Sequence, residues 1–158
     1  MEYKIILLLL FLFLASYIIK YFDNKRSDNK SSKKIMSRTE YRIAEYLDKL
    51  NVNYKVQYTF AGCRDKNKLP FDFAIIDEKG VVKMLIEYDG EQHFQPVQFG
   101  NETKKEAMRN FKICQKHDKI KNNFCKKRKI YLLRISYLEN KDLYKIIKRT
   151  LYEQNILK

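Results

Sequence analysis

The spacing of apolar residues along the chain changes several times, and each change marks an element. Residues 5–19 (IILLLLFLFLASYII) form a run of 15 uncharged, almost wholly apolar positions. Residues 23–36 (DNKRSDNKSSKKIM) then lose nearly all apolar character, as a flexible tether does. Apolar residues next recur at helical spacing at Ile43, Leu47 and Leu50, after Ser37-Arg38-Thr39-Glu40, the S-x-x-E signature of a capping box. Asn51 to Asn53 break that period, and residues 54–60 (YKVQYTF) alternate as a strand does. Residues 61–69 (AGCRDKNKL) read as a loop leading to Pro70. Residues 71–76 and 81–89 are strand-like apolar runs joined at residues 77–80 (DEKG), a hairpin. From Asn101 to about Lys126 the period is helical again, with Ile113, His117, Ile120 and Phe124 on one stripe. Residues 129–136 (KIYLLRIS) predict a short buried strand, and Leu143, Ile146, Ile147 and Leu151 mark a closing helix. The order predicts a single α/β domain over residues 37–158.

The apolar run at the start covers only about 22 Å as a helix, short of a bilayer core of roughly 30 Å. Tyr3, Lys4, Lys20, Tyr21 and Phe22 lengthen it to residues 3–22 if the lysines snorkel and the aromatics lie at the interfaces. A cleaved signal peptide is the other possibility, but Ala15-Ser16-Tyr17-Ile18 offers no small-x-small cleavage site. The expected organisation is therefore a transmembrane anchor at 1–22, a basic linker at 23–36 and a domain at 37–158. Lys20, Lys25, Arg26, Lys30, Lys33 and Lys34 follow the run, so the positive-inside rule keeps the domain cytoplasmic on a single-pass membrane protein.

Charge narrows the partners. The chain has 33 Lys and Arg against 19 Asp and Glu, a net +14, and residues 37–158 still carry +10. That excess points to nucleic acid, an anionic membrane surface, or both. Between positions 112 and 129 stand eight basic residues and a single acid, Asp118. Lys112, Lys116, Lys119, Lys126, Lys127 and Arg128 are candidates for a phosphate-tracking surface, against the plainer alternative of a solvated lysine face. Arg134 lies inside an apolar strand and needs a partner there, either an acid or a phosphate. Cys63, Cys114 and Cys125 are an odd set that argues for a reducing compartment rather than a disulfide framework. Cys114-x-x-His117 with Cys63 and Cys125 has the composition of a zinc site. The helical stripe that carries Ile113, His117 and Phe124, however, lies to one side of Cys114, which favours free cysteines.

A turn centred on Lys79-Gly80 sets Asp72 opposite Glu87 on one face of the hairpin, with Cβ atoms about 5 Å apart. Like charges so placed destabilise a sheet unless a cation or a shared proton intervenes. Asp89 adds a third acid on that face, while Phe71, Phe73, Ile75, Met84 and Ile86 are expected on the other. Three converging carboxylates suit a hard divalent ion with oxygen ligands. The alternative is a register one residue away, with both acids turned to solvent.

At this point the chain resembles the PD-(D/E)XK nuclease superfamily. The residues that carry the likeness are Leu69-Pro70-Phe71-Asp72-Phe73, residues 86–94 (IEYDGEQHF), Asp118-Lys119-Ile120-Lys121-Asn122 and residues 130–135 (IYLLRI). Together they are similar to predicted very-short-patch-repair-like endonucleases common in giant viruses and large phages. The likeness covers about residues 37–138. It implies a restriction-endonuclease-like αβββαβ core with a mixed sheet, and metal-dependent hydrolysis of phosphodiester bonds, of DNA ahead of RNA. It further implies Mg²⁺, or Mn²⁺, held by Asp72 and Glu87 with the Tyr88 carbonyl, and Glu40 as the acid from the first helix. The superfamily usually has a lysine two residues after the second acid, and here Asp89 stands there. Lys121, one helical turn after Asp118, is the candidate replacement, with Gln92 or His93 as groups that position water or carry a proton. The alternative to a membrane-anchored nuclease is an inactive relative that binds nucleic acid or anionic membrane as a tether.

Overall fold

The computed structural model describes Leu14, Ser16 and residues 36–158. Ser37–Lys158 is one compact unit. The expected anchor and linker lie outside the described residues apart from Leu14, Ser16 and Met36. Among the described residues no helix is long and apolar enough to cross a membrane.

Helix α1 (Arg38–Lys49) starts as its sequence predicts, because Ser37 and Glu40 exchange the two bonds of a capping box. Its apolar stripe buries Ile43, Ala44 and Leu47. Three antiparallel strands follow: β1 (Tyr54–Arg64), β2 (Lys68–Ile76) and β3 (Val82–Asp89). The β2–β3 turn closes with Gly80 at φ 77°, while the Asp77 carboxylate accepts the N–H groups of Lys79 and Val81. A 3-10 turn (Glu91–His93) leads on to α2 (Lys104–Arg128), capped by Thr103 and Glu106. Strand β4 (Tyr131–Ser136) then pairs parallel to β3, and α3 (Leu143–Glu153) closes the unit. Residues 37–158 thus form an α/β fold with a four-stranded mixed sheet in the order β1-β2-β3-β4 and three helices.

The helices lie on both faces of the sheet. Phe73 packs on Tyr54, whose hydroxyl donates to the Asp48 carboxylate of α1 at 2.9 Å, and Tyr46 of α1 lies against Tyr144 of α3 with ring centroids 4.6 Å apart. Ala74 and Leu85 face the other way, into a cluster with Cys125 of α2, Cys63, Leu69 and Phe71.

Three expectations need correction. Residues 61–69 are mostly strand, because Cys63 and Leu69 are buried in the core and only a tight turn at Asp65–Asn67 links β1 to β2. Helix α2 begins at Lys104, and Ile113 is 44% exposed; the helix buries Ala107 and Cys125, with Ile120 and Phe124 packed against the core. Phe71 does not share a face with Phe73; it packs on Phe60 and Phe124 beneath α2. The change of face falls where Gln57, opposite Asp72, has the left-handed φ of 49° in mid-strand.

Candidate metal centre

Asp72 falls at an interruption in both of its ladders. On the β3 side the last regular pair is Phe73 with Ile86, in the register expected from the sequence. One position beyond, the Asp72 carboxylate replaces the backbone ladder: its Oδ2 accepts the Tyr88 N–H at 2.8 Å. On the β1 side the pairing passes from Val56–Phe73 to Tyr58–Phe71. The intervening residue is Gln57, whose exposed amide reaches Asp72 Oδ1 at only 3.5 Å. One carboxylate oxygen of Asp72 is thus firmly held and the other loosely.

Glu87 is 2% exposed. Both of its oxygens accept from Lys121 Nζ at 2.8 Å, and that ammonium also lies 5.3 Å above the Phe71 ring. Burial raises the Glu87 pKa more than Lys121 lowers it. Burial first, then the Glu87 charge, raises Asp72 to about 7. Glu40 contributes in the same direction, so the capping-box acid lies within electrostatic reach of Asp72 while its Oε2 accepts the Ser37 N–H at 2.6 Å. The three groups Asp72, Glu87 and Lys121 come from β2, β3 and α2. Their donor atoms toward a metal are oxygens only, which fits a hard ion such as Mg²⁺.

A second cluster adjoins the first. Arg134 grips Asp89 with two bonds, Nε to Oδ2 at 2.7 Å and Nη2 to Oδ1 at 2.6 Å. It also reaches Asp118 Oδ1 at 2.8 Å and Asn122 Oδ1 at 3.2 Å. The partner that an arginine in a buried strand requires is therefore a pair of acids. The charge of Asp89 is thereby matched on the spot by the guanidinium. His93 Nδ1 lies 2.9 Å from Asp118 Oδ2 and 3.3 Å from Cys114 Sγ. Burial disfavours the His93 cation, but its bond to Asp118 and the two nearby acids outweigh that and raise its pKa. The same bonds, from His93 and Arg134, hold Asp118 below the ordinary carboxylate range against its burial.

The sequence candidates are thus sorted into two groups. Asp72, Glu87 and Lys121 come together with Glu40 in range, whereas Asp89, His93 and Arg134 join Asp118 and Cys114. Gln92 folds its amide back over Gly90. Lys112, Lys119, Lys126, Lys127 and Arg128 are exposed along α2, while Lys116 is tied to Asp65 at 2.7 Å. His117 also turns to Asp65, and Cys63 and Cys125 are core residues, so the Cys63–Cys114–His117–Cys125 set does not assemble. The part played by Gln57 is not visible in the sequence, since nothing in its alternating strand signals a left-handed residue.

No protein-family model, curated protein or solved structure matches the chain.

Proposed function

We propose that the domain is a metal-dependent nuclease with a restriction-endonuclease-like αβββαβ core, cutting phosphodiester bonds of nucleic acid, DNA ahead of RNA. The observation that carries this proposal is the pair of half-buried Asp72 and buried Glu87 on adjacent strands, with the Lys121 ammonium on Glu87. Two acids held against each other in a basic domain destabilise it when no cation is bound. A module that only binds phosphate gains nothing from them.

Asp72, Glu87 and the Tyr88 carbonyl would hold Mg²⁺, or Mn²⁺, which when bound polarises a phosphoryl oxygen and lowers the pKa of water. The chain's own groups do the rest. Tyr88 N–H fixes one Asp72 oxygen and leaves the other with only the long Gln57 contact, and so the freer to meet a metal. Lys121 supplies the cation that the usual lysine position lacks, and can pass from Glu87 to the phosphate as charge develops there. Arg134 silences Asp89, so that a third carboxylate does not repel the incoming phosphate. The exposed bases of α2 would track the backbone. No step is assigned to Gln92 or His93. Anchoring through residues 3–22 with the domain in the cytoplasm belongs to the same proposal and rests on the charge pattern of the sequence.

The test is cleavage of labelled duplex DNA, single-stranded DNA and RNA with Mg²⁺, Mn²⁺ or EDTA, beside Asp72→Ala and Glu87→Ala. Metal-dependent cutting that both variants lose supports the nuclease. Salt-sensitive binding with no cutting under either metal replaces it with the tether.

A further inference from the structure

We propose that His93, Cys114 and Asp118 form a second metal site, taking a borderline-soft divalent ion such as Zn²⁺ or Co²⁺. The three side chains come from two elements. Cys114 and Asp118 are four residues apart on α2, so one helical face presents both. His93 faces them from the turn after β3. One ligand atom from each lies within 4.8 Å of the others. Around a tetrahedral zinc ion, sulfur, nitrogen and oxygen ligands stand about 3.3–3.7 Å apart. The separations of 3.3 Å from Cys114 Sγ and 2.9 Å from Asp118 Oδ2 to His93 Nδ1 are close to that already.

Hydrogen bonding alone leaves Cys114 unexplained. With Asp118 ionised, the Nδ1 hydrogen of His93 goes to its carboxylate at 2.9 Å rather than to the sulfur at 3.3 Å, and the Asp118–Arg134–Asp89 chain is complete without a thiol. A metal gives that sulfur a role. Asp118 is also divided as a metal-binding carboxylate is: Oδ2 faces His93, while Oδ1 accepts from Arg134, whose Nη2 also lies 3.4 Å from His93 Nδ1. Charge closes as well. Asp89, Asp118 and a Cys114 thiolate carry three negative charges, and Arg134 with a divalent ion carries three positive. The mixed sulfur, nitrogen and oxygen set selects against Mg²⁺, so this site and the all-oxygen pair Asp72–Glu87 would sort two metals by hardness. A bound ion would clamp the Glu91–His93 turn to α2.

The test is a cobalt titration of the metal-stripped full chain under anaerobic conditions, followed by absorbance. We expect tetrahedral cobalt bands in the visible, a thiolate-to-cobalt band in the near ultraviolet, and bleaching of both by Zn²⁺. Cys114→Ser should lose the thiolate band. His93→Ala and Asp118→Asn should each weaken binding at least tenfold, with far-ultraviolet circular dichroism showing that the variants fold. Glu87→Gln should leave the spectrum unchanged and lose Mg²⁺-dependent cutting, which separates this site from the nuclease centre. Absence of a thiolate band in the native chain, or its survival in Cys114→Ser, overturns the proposal.

Discussion

Lys121 Nζ stands 2.8 Å from each carboxylate oxygen of Glu87, with 12% and 3% of the two side chains exposed. The pair keeps an otherwise uncompensated acid in the interior. Lys121→Met should reduce cleavage by about 10²–10³-fold, the size of effect seen when a preorganised charge is taken from a transition state. It should also destabilise the metal-free protein, by up to roughly 3–5 kcal/mol at pH 8 and less at pH 5, where Glu87 can take a proton. Urea titrations at the two pH values check this. An equal loss at both would mean that Lys121 acts by packing on Phe71 rather than by charge.

Asp72 gives the sharpest pH dependence. Its folded-state pKa of about 7 lies above the unfolded value of 3.8, so the unfolded chain releases this proton first. Stability should therefore fall as pH rises from about 4 to about 7 and level off above, as far as this group decides it. Asp72→Asn should remove the slope and raise metal-free stability at pH 8 by roughly 1–2 kcal/mol, a shift of about 2–8 °C in Tm. Thermal melts in EDTA across that range read it directly. Added Mg²⁺ should stabilise the native chain and not the variant.

Arg134 is held by two acids, and its removal strands both. Arg134→Ala should cost about 3–5 kcal/mol. Arg134→Lys should recover only part, because an ammonium cannot span Asp89 in a fork and reach Asp118 together. Denaturant unfolding of the two variants decides it. A cost below about 1 kcal/mol in both would place Arg134 among surface ion pairs.

Binding to duplex DNA should be strongly salt-dependent. Replacing Lys112, Lys119, Lys126, Lys127 or Arg128 by Gln should lower the slope of log K against log salt by about 0.9 for each phosphate no longer neutralised. Lys116→Gln should change it less, since Asp65 already holds that ammonium. Affinity measured at several salt concentrations separates these residues, and uniform effects would indicate a diffuse field rather than a track.

Gln57 is left-handed at φ 49° without being glycine. Gln57→Gly should stabilise the domain by about 1 kcal/mol by relieving that backbone, even though its amide no longer reaches Asp72 across 3.5 Å. A lower Tm in this variant would show that the amide bond outweighs the strain.

The sequence made some of these relationships legible and concealed others. Ser37 with Glu40, the turn at residues 77–80 and the Phe73–Ile86 register are local, so spacing alone reaches them. Arg134 was readable as needing an acid because charge in a strand interior has few solutions. The face occupied by Phe71 was not readable. Alternation assumes an unbroken strand, and the break at Gln57 leaves no mark in side-chain polarity. Strand content at 61–69 was masked by lysines and asparagine at a solvent-facing turn, with only Cys63 and Leu69 as apolar clues. The approach of His93 to Cys114 depends on the path of residues 94–103, which no periodicity specifies.

The parallel pairing of β4 with β3 has a kinetic consequence. Strands β1 to β3 meet through short turns and can form early, whereas Arg134 and Asp89 are 45 residues apart in sequence. Joining them requires closing the whole crossover through α2, the costliest loop in the sheet. The same closure brings Lys121 to Glu87 and Asp118 to His93. A nascent or partly unfolded chain would carry its acids on the hairpin but none of the cations that complete them. Assembly of the Asp72–Glu87–Lys121 and Asp89–Arg134–Asp118 clusters would then wait on that closure.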